Sequence, residues 1–155
     1  GILQSIENAA KLAGRPHEVE LLAESKTRPP EAVRELALAG QRAFGENYVQ
    51  EALAKMAALP GLGLEWHLIG HLQSNKCREA AEHFDWVQSV DRAKLVDGLD
   101  RARPASLPPL NVLVQVNVDG EAGKSGCRPE EVPALADRIA ASPRLFDPWR
   151  RALRL

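Results

Sequence analysis

"VELLAESKTRPPEAVRELALAGQRAFGE", residues 19–46, decides the fold. It opens on a mostly apolar run, "VELLAESK" (19–26), and closes on another, "RAFGE" (42–46). Each has the length of a strand. Between them Val33, Leu36, Ala37 and Gly40 recur at i, i+3, i+4 and i+7, which is one face of a helix. Pro29 and Pro30 suit the first turn of that helix, and Gly40 suits its end. Strand, helix and strand in so short a span predict a right-handed crossover between parallel strands.

The same unit recurs along the chain. Further strands are expected at "LEWHLIG" (64–70), "WVQSV" (86–90) and "NVLVQVNV" (111–118). Apolar stripes between or after them mark helices: Val49, Ala52, Leu53 and Met56; Cys77, Ala80, Ala81 and Phe84; Val132, Leu135, Ala136 and Ile139. The stripe before the fifth strand is looser, with Leu95, Leu99 and Ala102. Asn47 with Gln50 resembles a capping box, and Ser74 and Asp91 have the chemistry of N-caps. A helix over roughly residues 2–13 precedes the first strand and ends at Gly14. The expectation is an α/β fold of about five parallel βα units behind an N-terminal helix. A doubly wound sheet and a (β/α)8 barrel both fit. The even spacing favours the barrel, but a full barrel needs roughly 250 residues.

Composition narrows the function. The chain has 155 residues, 45% hydrophobic and 26% charged, as expected of one globular domain. With 20 basic and 21 acidic residues the net charge is −1, which speaks against an electrostatic grip on nucleic acid or an anionic membrane. No apolar run approaches the roughly 18 residues that span a bilayer, and no secretory signal pattern opens the chain. Cys77 and Cys127 form no metal or redox motif, and two thiols make no disulfide framework. A cytoplasmic setting is the expectation.

In either parallel architecture, sites form at the carboxyl ends of the strands. Those ends read Ser25-Lys26-Thr27, Gly45-Glu46-Asn47, Gly70-His71, Ser89-Val90-Asp91 and Asn117-Val118-Asp119. Ser, Asn and Asp occur there as caps in any βα loop. Lys26 is different, because a lysine ending an apolar strand caps nothing. Turned inward and desolvated, it becomes an amine nucleophile for carbonyls; turned outward, it is a solvated surface charge.

The strings "LLAESKT" (21–27), "FGENYVQE" (44–51), "EWHLIGHLQSNK" (65–76), and "VLVQVN" (112–117) followed by "GKSG" (123–126) resemble the pyridoxal phosphate homeostasis protein family. These proteins bind pyridoxal 5′-phosphate (PLP) on a barrel like the N-terminal domain of alanine racemase and show no established catalytic turnover. The resemblance runs in order from about residue 2 to 145. It implies a partial (β/α)8 TIM-type barrel, PLP as cofactor and a role in vitamin B6 homeostasis. It implies Lys26 as the lysine that takes PLP as a Schiff base and Asn47 as a residue lining the cofactor. His67, Ser89 and Asn117 are expected at strand ends facing the same mouth. The family is expected to be monomeric.

Two departures from the family pattern stand out. After "SPRL" (142–145) the family continues into further strands that hold the PLP phosphate, whereas this chain reads "FDPWRRALRL" (146–155). The expected division is an incomplete barrel over 1–145 and a non-family tail over 146–155. An open sheet edge then favours self-association. The second departure is Glu24, where the family has an apolar residue. Strand alternation puts it on the face of Lys26, where a buried carboxylate would favour the ammonium and oppose attack on an aldehyde.

Other signals resolve into decoys. "GEAGKSG" (120–126) follows a strand, but a Walker A loop needs Gly where Val118 stands. His67 and His71 share no helix face and have no third ligand spaced for zinc. Trp66 and Trp86 read as core residues. Two alternatives accompany the PLP reading: a truncated fragment that binds nothing, and an amino-acid racemase. Racemization needs an acid/base pair on opposite faces of the substrate, and the sole tyrosine is Tyr48.

Overall fold

The structure, a computed structural model, describes residues 1–149. Residues 150–155, most of the expected tail, lie outside the described residues. The elements run α1 (Ile2–Leu12), β1 (Ala23–Glu24), α2 (Pro30–Leu38), β2 (Ala43–Glu46), α3 (Val49–Ala58) and β3 (Glu65–Leu68). A 3-10 turn (Ser74–Lys76) leads into α4 (Cys77–His83), followed by β4 (Trp86–Val90), α5 (Ala93–Ala102) and β5 (Leu110–Val114). A second 3-10 turn (Pro129–Glu131) opens α6 (Val132–Ala140), and β6 (Leu145–Phe146) follows.

Among the described residues the strands form one parallel sheet in the order β1-β2-β3-β4-β5-β6. That order decides what spacing left open. A doubly wound sheet reverses direction at a switch point, whereas strands added always to the same side make part of a (β/α)8 barrel. The register carries one row of residues across the sheet: Glu24, Gly45, His67, Trp86, Asn111 and Phe146. The alternate positions Phe44, Leu68, Val87 and Val112 are fully buried. They join Val33, Ala52, Ala80, Leu95, Leu99 and Ile139 from the helices in one core. Burial of each large aliphatic or aromatic side chain there stabilises by about 1.5–3 kcal/mol. Gly40, with φ +107°, takes the left-handed position just past the end of α2.

Three details differ from the sequence reading. First, β6 adds a strand where none was expected. It pairs Leu110 with Leu145 and Asn111 with Phe146, so the expected boundary at 145/146 cuts through a strand. Two residues are too few to show any periodicity. Second, the capping roles expected of Asn47, Ser74 and Asp91 are not used. Helix α3 starts behind Tyr48, the 3-10 turn behind Gln73 and α5 behind Arg92. The Asp91 carboxylate instead accepts from the Gly126 N–H at 3.1 Å and from Arg92 at 2.8 Å. At Asp91 a neighbouring guanidinium and a backbone N–H from 35 positions away take the place of the local cap. Third, Trp86 is not enclosed like Trp66 but lies in the sheet row just described, stacked on His67. Cys77 and Cys127 are free and buried, and burial pushes both thiols up. No helix among the described residues is long and apolar enough to cross a membrane.

Candidate functional site

The polar groups gather at the carboxyl end of β1 and β2. Glu24 and Lys26 meet on one side of the sheet end, while the Ser25 hydroxyl turns to Glu46 on the other. Lys26 Nζ lies 3.1 Å from Glu24 Oε1, and the two side chains are 51% and 48% exposed. The expectation of a buried carboxylate at Glu24 is therefore corrected: it shares the face of Lys26 but stands half in water. The Asn47 amide donates to the same Glu24 oxygen at 3.0 Å, which is where its side chain goes instead of capping α3. Lys26, then Asn47, hold the Glu24 carboxyl below its ordinary value.

Lys26 and Asn47 line one cleft of about 570 Å³ with Tyr48, Gly70, His71 and Lys76. Gly70 is what lets the β3 loop close on the β2 loop. A Cβ there would lie 2.3 Å from the Asn47 carbonyl oxygen. Asn117 faces an adjoining cleft that shares Gly70 and His71 with the first. Its amide is occupied by the Glu121 carbonyl at 3.0 Å. Across this second cleft Ser125 Oγ and His71 Nδ1 are 3.1 Å apart.

His67 and Ser89 are not brought to either cleft. His67 is buried on the sheet, its ring stacked on Trp86 with centroids 5.1 Å apart. The Gln88 amide donates to Nδ1 at 2.8 Å, which leaves Nε2–H to donate to Glu65 at 2.7 Å. Both ring nitrogens are spent. Ser89 is fully buried, next to Val90 where β4 and β5 shift register. Its hydroxyl has no protein partner. Among the described residues no group of three His, Cys, Asp or Glu is placed to hold a metal.

The sequence reading missed a second set of charges behind Lys26. Lys55 on α3 is buried, with its side chain 5% exposed, and lies 2.6 Å from the fully buried Glu46. It also donates to the Ser25 carbonyl at 2.6 Å and to Glu51 at 3.1 Å. Ser25 Oγ donates to Glu46 at 3.0 Å. The i, i+4 spacing of Glu51 and Lys55 was the available signal, but it reads equally as a surface helix pair.

Several known proteins are similar. The alanine racemase, N-terminal domain family matches residues 3–147. The pyridoxal phosphate homeostasis protein of Pseudomonas aeruginosa is 60% identical over 141 residues, covering 90% of this chain and 61% of the relative. That of Escherichia coli K12 is 51% identical over 148 residues, covering 93% and 63%. This chain thus spans less than two thirds of these curated relatives. The structure of PipY from Synechococcus elongatus with PLP bound superposes with a TM-score of 0.77 at 40% identity, covering 92% of this chain and 66% of PipY. Alanine racemase from Corynebacterium glutamicum, 15% identical with a TM-score of 0.63, shares the fold.

Proposed function

This chain belongs to the alanine racemase N-terminal domain family, and from that premise we propose that it binds PLP through Lys26 and serves PLP homeostasis without turning over a substrate. The observation that carries the reading is the Lys26 amine at the end of β1, half exposed and lining a cleft of about 570 Å³. That volume lies within the roughly 300–1,000 Å³ of small-molecule pockets. The names of the relatives and the PLP in PipY support the same ligand.

The residues fit the cofactor. When bound, PLP supplies an aldehyde carbon to which an unprotonated lysine amine adds with loss of water. Lys26 provides the amine. Glu24 Oε1, 3.1 Å away, holds that amine in an ion pair, which the amine must leave to reach the aldehyde. Asn47 steadies that carboxylate from the other side. Gly70 keeps the β3 loop against Asn47, so the cleft wall stays close to Lys26. Lys76 adds a cation to the same lining, suited to an anionic substituent.

The test is PLP addition, borohydride reduction and peptide mapping by mass spectrometry. The expected result is label concentrated on Lys26. Label scattered over surface lysines, or none, overturns the reading and leaves a chain that keeps the family's sequence without its ligand. One observation favours a second reading: Tyr48 lines the cleft with Lys26, so a proton donor and an amine share the site. Solvent-hydrogen exchange at Cα of added amino acids, with PLP present, would establish racemase-type turnover; its lack supports the holding role.

A further inference from the structure

We propose that Lys55 is a positioning residue for Lys26, anchoring from the far side of the sheet the turn that presents the PLP-bearing amine. This rests on the reading of Lys26 given above. The two residues flanking Lys26 in the chain are both gripped from behind. The Ser25 carbonyl accepts from Lys55 Nζ at 2.6 Å, and the Thr27 N–H donates to Glu51 at 2.9 Å. Glu51 is itself bonded to Lys55 at 3.1 Å, so one ammonium ties both anchors together.

The turn needs such anchoring. The Arg28 N–H donates to the Ser25 carbonyl at 3.1 Å, making Lys26 and Thr27 the central residues of a four-residue turn. Thr27 has φ +61°. Turns with positive φ at that second central position favour Gly or Asn, and a β-branched residue there is strained. Strained backbone persists where the surroundings over-determine it. Here the surroundings are a buried ion pair. Glu46 directs Oε1 to both Lys55 and Ser25 Oγ, and its other oxygen has no protein partner. A buried pair of this kind is weak support for stability but can specify one geometry. Lys26 touches none of these groups, so the network acts on it only through the backbone.

The experiment compares the 155-residue chain with Lys55→Met, with Lys55→Met/Glu46→Gln and with Glu51→Ala. Lys26 labelling by PLP and borohydride is mapped below the melting point of each protein. The single variant leaves Glu46 buried and unpaired. The double variant removes both charges and recovers most of the melting temperature. On the proposal it still labels Lys26 roughly tenfold to a hundredfold more slowly, the scale for a reacting group misplaced by about 1 Å. The ratio of Lys26 label to label on Lys11 falls with it. A role in stability alone would restore both together, and wild-type labelling in the double variant overturns the proposal. Glu51→Ala, at a half-exposed position, keeps the test open should the double variant not fold. It is expected to slow Lys26 labelling and to speed amide exchange at Thr27, and no change in either overturns the proposal. Failure of the unaltered chain to label Lys26 sinks the underlying reading instead, a different result from equal labelling in all variants.

Discussion

Two lysines stand on opposite sides of the same sheet end and have opposite fates. Lys26 is 51% exposed and shares a half-exposed carboxylate with an amide. Lys55 is 5% exposed and is committed to two carboxylates and a carbonyl. Both form ion pairs with a glutamate, and the pairs differ by water. An exposed pair is screened and easily exchanged. A buried pair is held because breaking it strands a charge in a medium that cannot solvate it. The available amine is thus carried on a turn tied back to an ammonium that solvent does not reach.

That contrast can be broken by mutation. The largest effect is expected for Lys55→Met alone, which strands Glu46. It should destabilise by about 3–5 kcal/mol and lower the melting temperature by roughly 10 °C or more. Lys26→Ala should move it by no more than about 2 °C. Thermal melts read by circular dichroism decide; equal shifts would end the distinction. Gly70→Ala comes next. Its Cβ meets backbone rather than a flexible side chain, so a cost of about 1–3 kcal/mol is expected, with weaker PLP capture as the β3 loop moves away from Asn47.

The smaller effects sharpen the comparison. Glu24→Val removes the carboxylate that occupies the Lys26 amine and should speed Lys26 labelling by roughly two- to fivefold; an unchanged rate would mean that the exposed pair is no brake. The smallest effect concerns Glu51. The Thr27 N–H, and after it Lys55, hold this carboxyl below its ordinary value of 4.5. A lowered folded-state pKa means stability present above about pH 4.5 and lost as the pH falls through the folded value. Glu51→Gln should flatten that acid limb in melts taken at stepped pH. An unaltered limb would assign the acid sensitivity to other carboxylates. Asp85 is not among them, since burial pushes its pKa up and reverses the sign. Its contribution is fully present below its ordinary value of 3.8 and fades as the pH rises through the folded value.

Much of the fold was legible because it repeats. Apolar stripes at helical spacing placed α2 through α6, and the buried residues Val33, Ala37, Ala80, Ala81, Leu95, Leu99 and Ile139 fall on them. Of the strands, β4 was found at its observed bounds and β6 was missed; the others were drawn too long, most of all β1, where "VELLAESK" contributes only Ala23 and Glu24 to the ladder. Apolar composition reports burial, whereas strand assignment reports pairing. The site was legible where a residue was out of character. Lys26 at an apolar strand end and Asn47 beside it do share a cleft. His67 shares the sheet row of Glu24 but is held there by Glu65, Gln88 and Trp86, and Ser89 is buried where β4 and β5 shift register; a strand pattern records neither set of contacts.

From the sequence alone came the alternation of strands and helices, the parallel sheet and the family, with Lys26 singled out as a candidate. These follow from periodicities and short strings that every residue of a segment helps to write. The tertiary structure decided the rest: the strand order that makes a barrel segment, the sixth strand, the side of the sheet each polar group faces, and the pairing of Lys55 with Glu46. Each depends on which segments lie adjacent in space. Lys55 and Ser25 are thirty positions apart in the chain and 2.6 Å apart in the fold. No local pattern separates a lysine that will be buried and paired from one that will face water, because desolvation is a property of the packed neighbourhood.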